Sequence, residues 1–391
     1  MKAIVLRKNL KDGLSMVEKA ISESGNLPIL KYVLLCFANN KIKLVATNLE
    51  LAITTYVSGK IIEDGSIAVP FSAFNSIITN TNNERIELEV KNGNLVVRLD
   101  NYEAKIQGLP ESDFPIIPRI ENVNEFIELN SDILVDSLNK VQFATQISEI
   151  RPELSGVLLD AEINLLKFVA TDSFRLSEKK IKDDQFSTEG HSTLRASDPM
   201  GGSSFGGKSS SILPWKIIIP LKTSHEASRI FNNSSSLRIY KDTNQVLFKT
   251  ENTELISRLI DGTYPDYEQI IPKDSETELI IERDSLIQAV KLVSSFSGKI
   301  NDIHLKLKGD KTLEVYAVNQ FLGENNYLIP IKLKGKEFTD IVFNWRYLLD
   351  GLKVLSGKDI ILNLNGEVRP AMLQSVEDKS LLYIAMPIKS S

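Results

Sequence analysis

The chain has 391 residues, of which 42% are hydrophobic and 25% are charged. At roughly 100–200 residues per domain, this length predicts two to four domains and excludes a single small module. The composition is that of a globular protein and excludes global disorder. The formal net charge of −5 argues against a protein that coats nucleic acid through bulk positive charge, although it leaves a local basic face open.

Cysteine content and apolar stretches bear on the compartment. Cys36 is the single cysteine, so no internal disulfide can form, and its apolar neighbours predict a small buried side chain. The N-terminal residues become polar too early for a signal peptide, and no stretch of about 18 apolar residues predicts a membrane span. We therefore expect a cytoplasmic chain without a membrane partner.

In chain order, the first predicted elements are a short strand and an amphipathic helix, and this pair recurs twice. In the third pair one apolar stripe recurs at helical spacing, and side-chain oxygens at Ser131, Asp132, Asp284 and Ser285 are expected where two of the helices begin. The pairs occupy residues 2–21, 125–143 and 278–296. The stripe consists of Leu286, Ala289, Val290 and Val293.

A second block, in which a polar corner joins two strands, follows each pair at residues 44–51, 168–176 and 315–322. A third block, at 108–118 and 260–272, contains an aromatic-Pro step and ends in Ile-Ile-Pro, which predicts a strand that leaves its sheet into an extended linker. Matched blocks in the same order predict three copies of one domain. The predicted domains are 1–122, 123–274 and 275–391.

Each copy is predicted to continue with a second helix and further strands. The helices are expected at 71–81, 222–231 and 344–355, and a hairpin around Asn92-Gly93 is expected between 86–90 and 95–99. Few helices and many strands joined by tight turns predict an α+β fold with antiparallel sheets and helices on one face.

The middle copy is longer than the others because of a Ser- and Gly-rich insertion at about 184–212. Within it, Gly202–Ser209 satisfies the phosphate-binding pattern G-x-x-x-x-G-K-[ST]. Neither the strand nor the helix that such a loop requires is predicted beside it, so a solvent-exposed loop is favoured. A nucleotide-binding enzyme that uses this loop stays as an alternative.

The chain offers little for catalysis. Its three histidines, His191, His225 and His304, do not lie at metal-ligand spacing from one another or from a cysteine. No nucleophile-elbow or zinc-protease motif occurs. We expect no metal, no cofactor and no enzymatic activity, which favours a binding or scaffolding protein.

Several short stretches, in this order, resemble the bacterial DNA polymerase III beta subunit family, the DNA sliding clamps. The resemblance covers nearly the whole chain except residues 183–213. Its most specific stretches are Leu27–Leu30, Ala46–Glu50, Ser112–Pro115, Glu153–Gly156, Ala170–Leu176, Tyr264–Tyr267, Phe343–Leu348 and Tyr383–Ile388.

The resemblance implies a ring in which two protomers join head to tail. Six similar domains would surround a hole, with helices lining the inner face and antiparallel sheets outside. The implied function is that of a processivity factor of the replicative DNA polymerase, which encircles double-stranded DNA without sequence specificity. The implied partners are the DNA polymerase III catalytic subunit, the clamp loader, and other polymerases and repair proteins with clamp-binding motifs.

In the family, these partners insert a short peptide with apolar anchors into a groove between the second and third domains. Phe174 and Gln269 depart from the His and Arg that are common there, which keeps open a clamp-fold protein specialised for another partner. Arg175 is expected to contact the peptide. The implied set, mostly apolar as such a groove requires, is Leu154, Thr171, Ser173, Phe174, Arg175, Leu176, Pro265, Gln269, Ile270, Ile300, Asn344, Tyr347, Val368, Pro370, Ile384, Met386, Pro387 and Ile388.

The resemblance also suggests which residues face DNA and the second protomer. The predicted helix at 71–81 carries no basic residue, which weakens the case for DNA contact by the first domain. At the interface, an edge strand around 104–108 is expected to pair with the third domain, with Ile106 and Phe296 as apolar contacts. The expected DNA-facing residues are Lys8, Lys11, Lys19, Lys140, Arg151, Lys222, Arg229, Lys291, Arg346 and Lys353.

Overall fold

The structure is a computed structural model that describes residues 1–22, 27–189, 214–232 and 235–389. The Gly202–Ser209 motif, His191 and most of the predicted insertion lie outside the described residues. Within the four described ranges, no helix is both long and apolar enough to cross a membrane.

Strands dominate the described chain. They are β1 (Lys2–Leu6), β2 (Tyr32–Ala38), β3 (Lys41–Thr47), β4 (Leu51–Glu63), β5 (Gly65–Pro70), β6 (Arg85–Lys91), β7 (Asn94–Leu99), β8 (Tyr102–Gln107), β9 (Phe126–Asn130), β10 (Gly156–Glu162), β11 (Leu165–Thr171), β12 (Arg175–Lys182), β13 (Phe186–Glu189), β14 (Trp215–Pro220), β15 (Ser236–Lys241), β16 (Gln245–Lys249), β17 (Thr253–Arg258), β18 (Thr277–Glu282), β19 (Asp302–Leu307), β20 (Thr312–Asn319), β21 (Gly323–Gly335), β22 (Ile341–Asn344), β23 (Asp359–Leu364), β24 (Ala371–Ser375) and β25 (Leu381–Ala385).

Each predicted copy contains two helices, and each helix directly follows a strand. They are α1 (Arg7–Val17), α2 (Phe71–Asn80), α3 (Ser131–Val141), α4 (Leu221–Ile230), α5 (Arg283–Val293) and α6 (Trp345–Val354). The order strand, helix, three strands, repeated twice per copy, agrees with the element order predicted from the sequence, except that β13 is an additional strand in the middle copy.

The chain divides into two compact units. The first comprises Met1–Ile133, Phe186–Ile212 and Glu226–Leu259, and contains a sheet of 13 strands ordered β13-β9-β15-β16-β17-β4-β1-β6-β7-β8, with β2, β3 and β5 branching from β4. The second comprises Leu134–Gln185, Leu213–His225 and Ile260–Ser391, and contains a sheet of 12 strands, β14-β10-β11-β12-β25-β24-β23-β18-β21-β20-β19-β22. All of the strand pairs are antiparallel, as predicted.

The helix faces and the turn chemistry explain why these segments fold as they do. The predicted stripe of α5 is fully buried, and α1 buries the same spacing of residues, so each helix presents one apolar face to its sheet. Asn92 and Gly93 both have positive φ, at 52° and 76°, which forms the two-residue turn predicted between β6 and β7. On β2, burial raises the pKa of the half-buried Cys36 thiol to about 11.

The helix starts differ from those predicted. Asn130, rather than Ser131 or Asp132, accepts the first free N–H of α3, through its Oδ1 atom at 3.0 Å from the Asp132 nitrogen. α5 has no side-chain cap, because Asp284 and Ser285 lie within its first turn and Ser285 donates to Glu282 instead. The residue that precedes α5 is Glu282, whereas α3 and α6 are preceded by Asn130 and Asn344, which cap them.

Candidate functional site

The same tight corner occurs three times, at residues 48–51, 172–175 and 319–322. In each corner the side-chain oxygen of the first residue accepts hydrogen bonds from the N–H groups of the third and fourth residues, at 2.9 to 3.2 Å. This Asx turn reverses the chain before a long strand and needs only a short Asn or Asp side chain. The polar corners predicted as repeats from the sequence therefore share one hydrogen-bond pattern.

In the first two corners, a threonine side chain also makes two hydrogen bonds to the corner backbone. Thr47 and Thr171 donate to the carbonyl of the fourth corner residue at 2.9 and 2.7 Å, and accept from the second residue at 3.0 and 3.2 Å. The second residues, Leu49 and Ser173, have φ of 74° and 75°. In the third copy Val318 replaces the threonine, so both of these hydrogen bonds are lost.

The last strand of the following copy covers each of the first two corners. β17 pairs with β4, and β25 pairs with β12, so that the fourth corner residue lies opposite Ser257 in one case and Ala385 in the other. The next residue then donates its N–H to the third corner residue: Arg258 to Glu50 at 3.0 Å, and Met386 to Phe174 at 2.8 Å. One junction is therefore built twice within the chain.

The junction at the second corner brings several residues of the implied peptide groove close together. Met386 lies against Phe174, Ile384 lies opposite Leu176, and Pro370 precedes the strand pair that places Ala371 opposite Ala385. Leu176 and Ile384 belong to one buried cluster with Tyr267, whose short 3₁₀ helix (Tyr267–Ile270) carries Gln269 and Ile270. We call this surface the peptide groove.

Burial divides the implied residues of the peptide groove into a floor and a rim. The buried residues are Leu154, Thr171, Leu176, Ile384 and Pro387. The half-buried residues are Arg175, Pro265, Asn344, Tyr347, Pro370, Met386 and Ile388. The exposed residues are Ser173, Phe174, Gln269, Ile270, Ile300 and Val368.

Arg175 holds this junction together. Its Nε donates to Asp172 at 2.9 Å, Nη1 to Asp350 on α6 at 2.7 Å, and Nη2 to the Phe143 carbonyl at 2.8 Å. Its guanidinium also lies 4.7 Å from the ring centre of Tyr347. Burial lowers the pKa of Arg175. The neighbouring Tyr383, Asp172 and Asp350 raise it, so that the pKa of Arg175 lies above its ordinary value.

The structure thus gives Arg175 a positioning role that the sequence did not predict, since three of its donors are used inside the unit. Asp350 and Phe143 were also missed. The one available signal was the spacing of Tyr347 and Asp350, three residues apart on one face of α6.

Helix α6 reaches the peptide groove by close packing on β25. A Cβ atom added to Gly351 would lie 2.2 Å from Cδ1 of Tyr383, so only glycine lets the helix approach this far. The buried Tyr383 hydroxyl in turn donates to the Tyr347 carbonyl at 2.8 Å. Asn344 caps α6 by accepting from the Arg346 nitrogen at 3.0 Å, which fixes the start of the helix beside the groove.

The expected DNA-facing residues fall into two groups. Lys8, Lys11, Lys222, Arg229, Lys291, Arg346 and Lys353 are exposed on helices, whereas Lys19 is half-buried. Lys140 is only 19% exposed and pairs with Asp136 at 3.0 Å. Arg151 donates to Ser173 at 3.2 Å and pairs with Glu153, so it lies at the corner beside the peptide groove rather than on a helix.

The interface candidates occupy an unpaired strand and an exposed turn. β8 pairs only with β7 among the described strands, and the Ile106 side chain is already buried in its own unit. At the third corner, Phe321 is 94% exposed and Leu322 is 62% exposed, while Phe296 is half-buried nearby, 3.9 Å from a Cβ added to Gly323. Among the described strands, none covers the first half of β21 on the side away from β20.

Across the four described ranges, no group of three or more His, Cys, Asp or Glu side chains is placed to hold a metal ion. His225 lies on α4 and His304 on β19, as expected, and His304 Nδ1 lies 2.9 Å from Asp340 Oδ2.

Three family models match successive parts of the chain. The N-terminal, central and C-terminal domains of the DNA polymerase III beta subunit match residues 1–118, 128–194 with 208–266, and 268–389. The chain belongs to the DNA polymerase III beta subunit family. It is 28% identical to the beta sliding clamp of Bacillus subtilis and 27% identical to that of Synechococcus elongatus, with 99–100% of each chain covered.

Solved structures agree with these relatives. The Bacillus subtilis DNA polymerase sliding clamp matches with a TM-score of 0.88 at 27% identity, and the Pseudomonas aeruginosa DNA polymerase III subunit beta matches with 0.89 at 23% identity, each over 100% of both chains. The chain is therefore a processivity factor in DNA replication, built from three clamp domains as predicted.

Proposed function

We propose that this clamp tethers its polymerase, and other proteins with clamp-binding motifs including the clamp loader, through the peptide groove, and that it performs no catalytic step itself. The observation that carries the proposal is the exposed apolar rim over a buried apolar floor. Phe174 is 58% exposed and Ile270 is 44% exposed, although both adjoin a packed cluster. Exposed apolar side chains above a buried apolar floor are typical of interaction sites.

A peptide-binding measurement tests the peptide groove. We expect Met386→Ala to weaken binding of a labelled peptide with Leu and Phe anchors by about 1–3 kcal/mol, because it truncates an apolar contact. Ile163→Ala is the matched control. Ile163 is also an apolar residue of the second unit, but it is exposed on a turn and does not belong to the peptide groove. Unchanged affinity for a folded Met386→Ala variant would remove Met386 from the site.

We also propose that two protomers form a head-to-tail ring. Among the described strands, none covers the third corner, and β8 is a last strand without a corner to cover. Asn94 opposite Gln107 and Gln245 opposite Arg258 lie at the open ends of the β7–β8 and β16–β17 hairpins, so Gln107 of β8 corresponds to Arg258 of β17. Pairing β8 of one protomer with β21 of the other places Leu322 opposite Ile106 and Glu324 opposite Ala104.

The exposed basic residues of the helices support the proposal that these helices face the duplex. Lys8, Lys11, Lys222, Lys291, Arg346 and Lys353 are exposed on α1, α4, α5 and α6, where they would meet phosphates without reading sequence. α2 carries no charged residue in its sequence, so its contribution would be limited to polar side chains such as Asn75 and Ser76. Lys140, Arg151 and Arg229 have ion-pair partners within the chain, which makes them the weakest members of the implied set.

A further inference from the structure

The junction at the first corner contains a cavity of about 180 Å³, which we call the corner cavity. Leu49 and Glu50 of the corner, Ile116 and Pro118 of the following linker, and Ile256 and Arg258 of β17 line it. All of these residues belong to the first unit.

The corner cavity occupies the place that the peptide groove occupies at the second corner. Thr47 and Thr171 make the same two hydrogen bonds, and β17 covers its corner in the same register as β25. The equivalents of Phe174 and Met386 are Glu50 and Arg258, which share the same backbone hydrogen bond. The backbone of the peptide groove is thus repeated, with different side chains on its rim.

We propose that the corner cavity is a second peptide-binding site, which takes a short extended segment of a partner protein with one apolar side chain flanked by an acidic and a basic residue. The proposal rests on the proposed function, because it extends the peptide groove to its repeated copy.

The size and lining of the corner cavity determine the apolar part of the ligand. An apolar cavity of about 150 Å³ holds a benzene-sized group, so 180 Å³ holds a single leucine-sized side chain. Leu49 is 48% exposed and Ile116 is 96% exposed, so each has apolar surface left to cover. The volume is below the roughly 300–1,000 Å³ of small-molecule sites, which excludes a cofactor-sized ligand.

The charges on the rim determine the flanking residues. Glu50 and Arg258 are both exposed, and within the described part of the chain neither side chain forms an ion pair or hydrogen bond. A carboxylate on the ligand complements Arg258, and a cation complements Glu50. Because the peptide groove has Phe174 and Met386 at these places, the two sites select different segments.

Photo-crosslinking of the full chain tests the corner cavity. Two of the probes are capped heptapeptides with photo-leucine at the centre. In one, Lys precedes and Asp follows the photo-leucine, and in the other this order is reversed. An uncharged peptide with Leu and Phe anchors is used in parallel. We expect the charged probes to label residues 47–52, 116–118 or 245–258, as mapped by mass spectrometry. Arg258→Glu should reduce this labelling at least about tenfold, because it removes a charged hydrogen-bond donor and adds a repelling charge.

Arg85→Glu is the matched control, since it makes the same charge change at another exposed arginine of the same unit. Labelling that is absent at saturating probe, or that survives Arg258→Glu, overturns the corner-cavity site. Failure of the proposed function is a separate result: the uncharged peptide would then bind with an affinity that Met386→Ala does not change.

Discussion

At the residue scale, Arg175 shows how an expected contact with a ligand becomes a contact within the fold. The sequence identifies the corner that contains it, but the partners that occupy its guanidinium come from the Phe143 carbonyl and from Asp350, far away in the chain. Long-range pairing of this kind has no periodicity to detect. The Asx pattern of the corner is local, and could therefore be predicted from the sequence.

Replacement of Arg175 should destabilise the second unit. Arg175→Ala leaves the buried Asp172 carboxylate without its cation, and breaking a buried pair in this way costs about 3–5 kcal/mol. We expect a lower urea midpoint by circular dichroism, with only partial recovery in Arg175→Lys because a lysine cannot reproduce three directed donors. Arg346→Ala, an exposed arginine of the same unit, serves as the control, and an equal loss for both variants would contradict this role.

At the element scale, strands and helices were predictable because hydrophobic spacing and turn residues are local signals. The predicted helices at 71–81, 222–231 and 344–355 agree with α2, α4 and α6 to within about one residue at each end. Which strand covers which corner was not predictable, since β12–β25 pairing joins segments that lie far apart in sequence. The close approach of α6 at Gly351 also escaped prediction, because a glycine in a helix has several possible reasons.

The register proposed for β8 and β21 can be tested with paired cysteines. In a Cys36→Ser background, Ala104→Cys with Glu324→Cys should form a disulfide between protomers, because directly opposite residues have Cβ atoms about 4.5–5.5 Å apart. Ala104→Cys with Asn325→Cys is the control, since a shift of one residue turns the second side chain to the other face. Equal crosslinking of both pairs on non-reducing gels would refute this register.

At the scale of the whole molecule, repetition carried most of the inference. Three matched blocks predicted three copies, and the three family models match three successive parts of the chain. The boundaries at 122 and 274 stay predictions.

A ring should stay on DNA by topology. After loading by a clamp loader, we expect retention on nicked circular DNA through a high-salt wash and release once the DNA is linearised, measured by gel filtration. Native mass spectrometry should give about twice 43.7 kDa. A stable monomer, or retention that does not depend on circularity, would contradict the ring.

The loading assay also tests whether the exposed basic residues of the helices contact DNA. Lys291→Glu should lower the loaded amount about 1.4- to fivefold, since an exposed charge contact contributes about 0.2–1 kcal/mol. Lys332→Glu, an equally exposed lysine on β21, should leave loading unchanged. If the two substitutions lowered the loaded amount equally, the proposal that α5 faces DNA would be contradicted.

The bare third corner has a consequence for assembly. A head-to-tail contact has no built-in limit on the number of subunits, so it gives a closed ring where the rotation between neighbours closes and an open filament where it does not. In the proposed ring, β8 of each protomer would pair with β21 of the other, so no such edge would stay open for a further subunit. Closure of the ring would therefore remove a polymerisation hazard that two unpaired strand edges create.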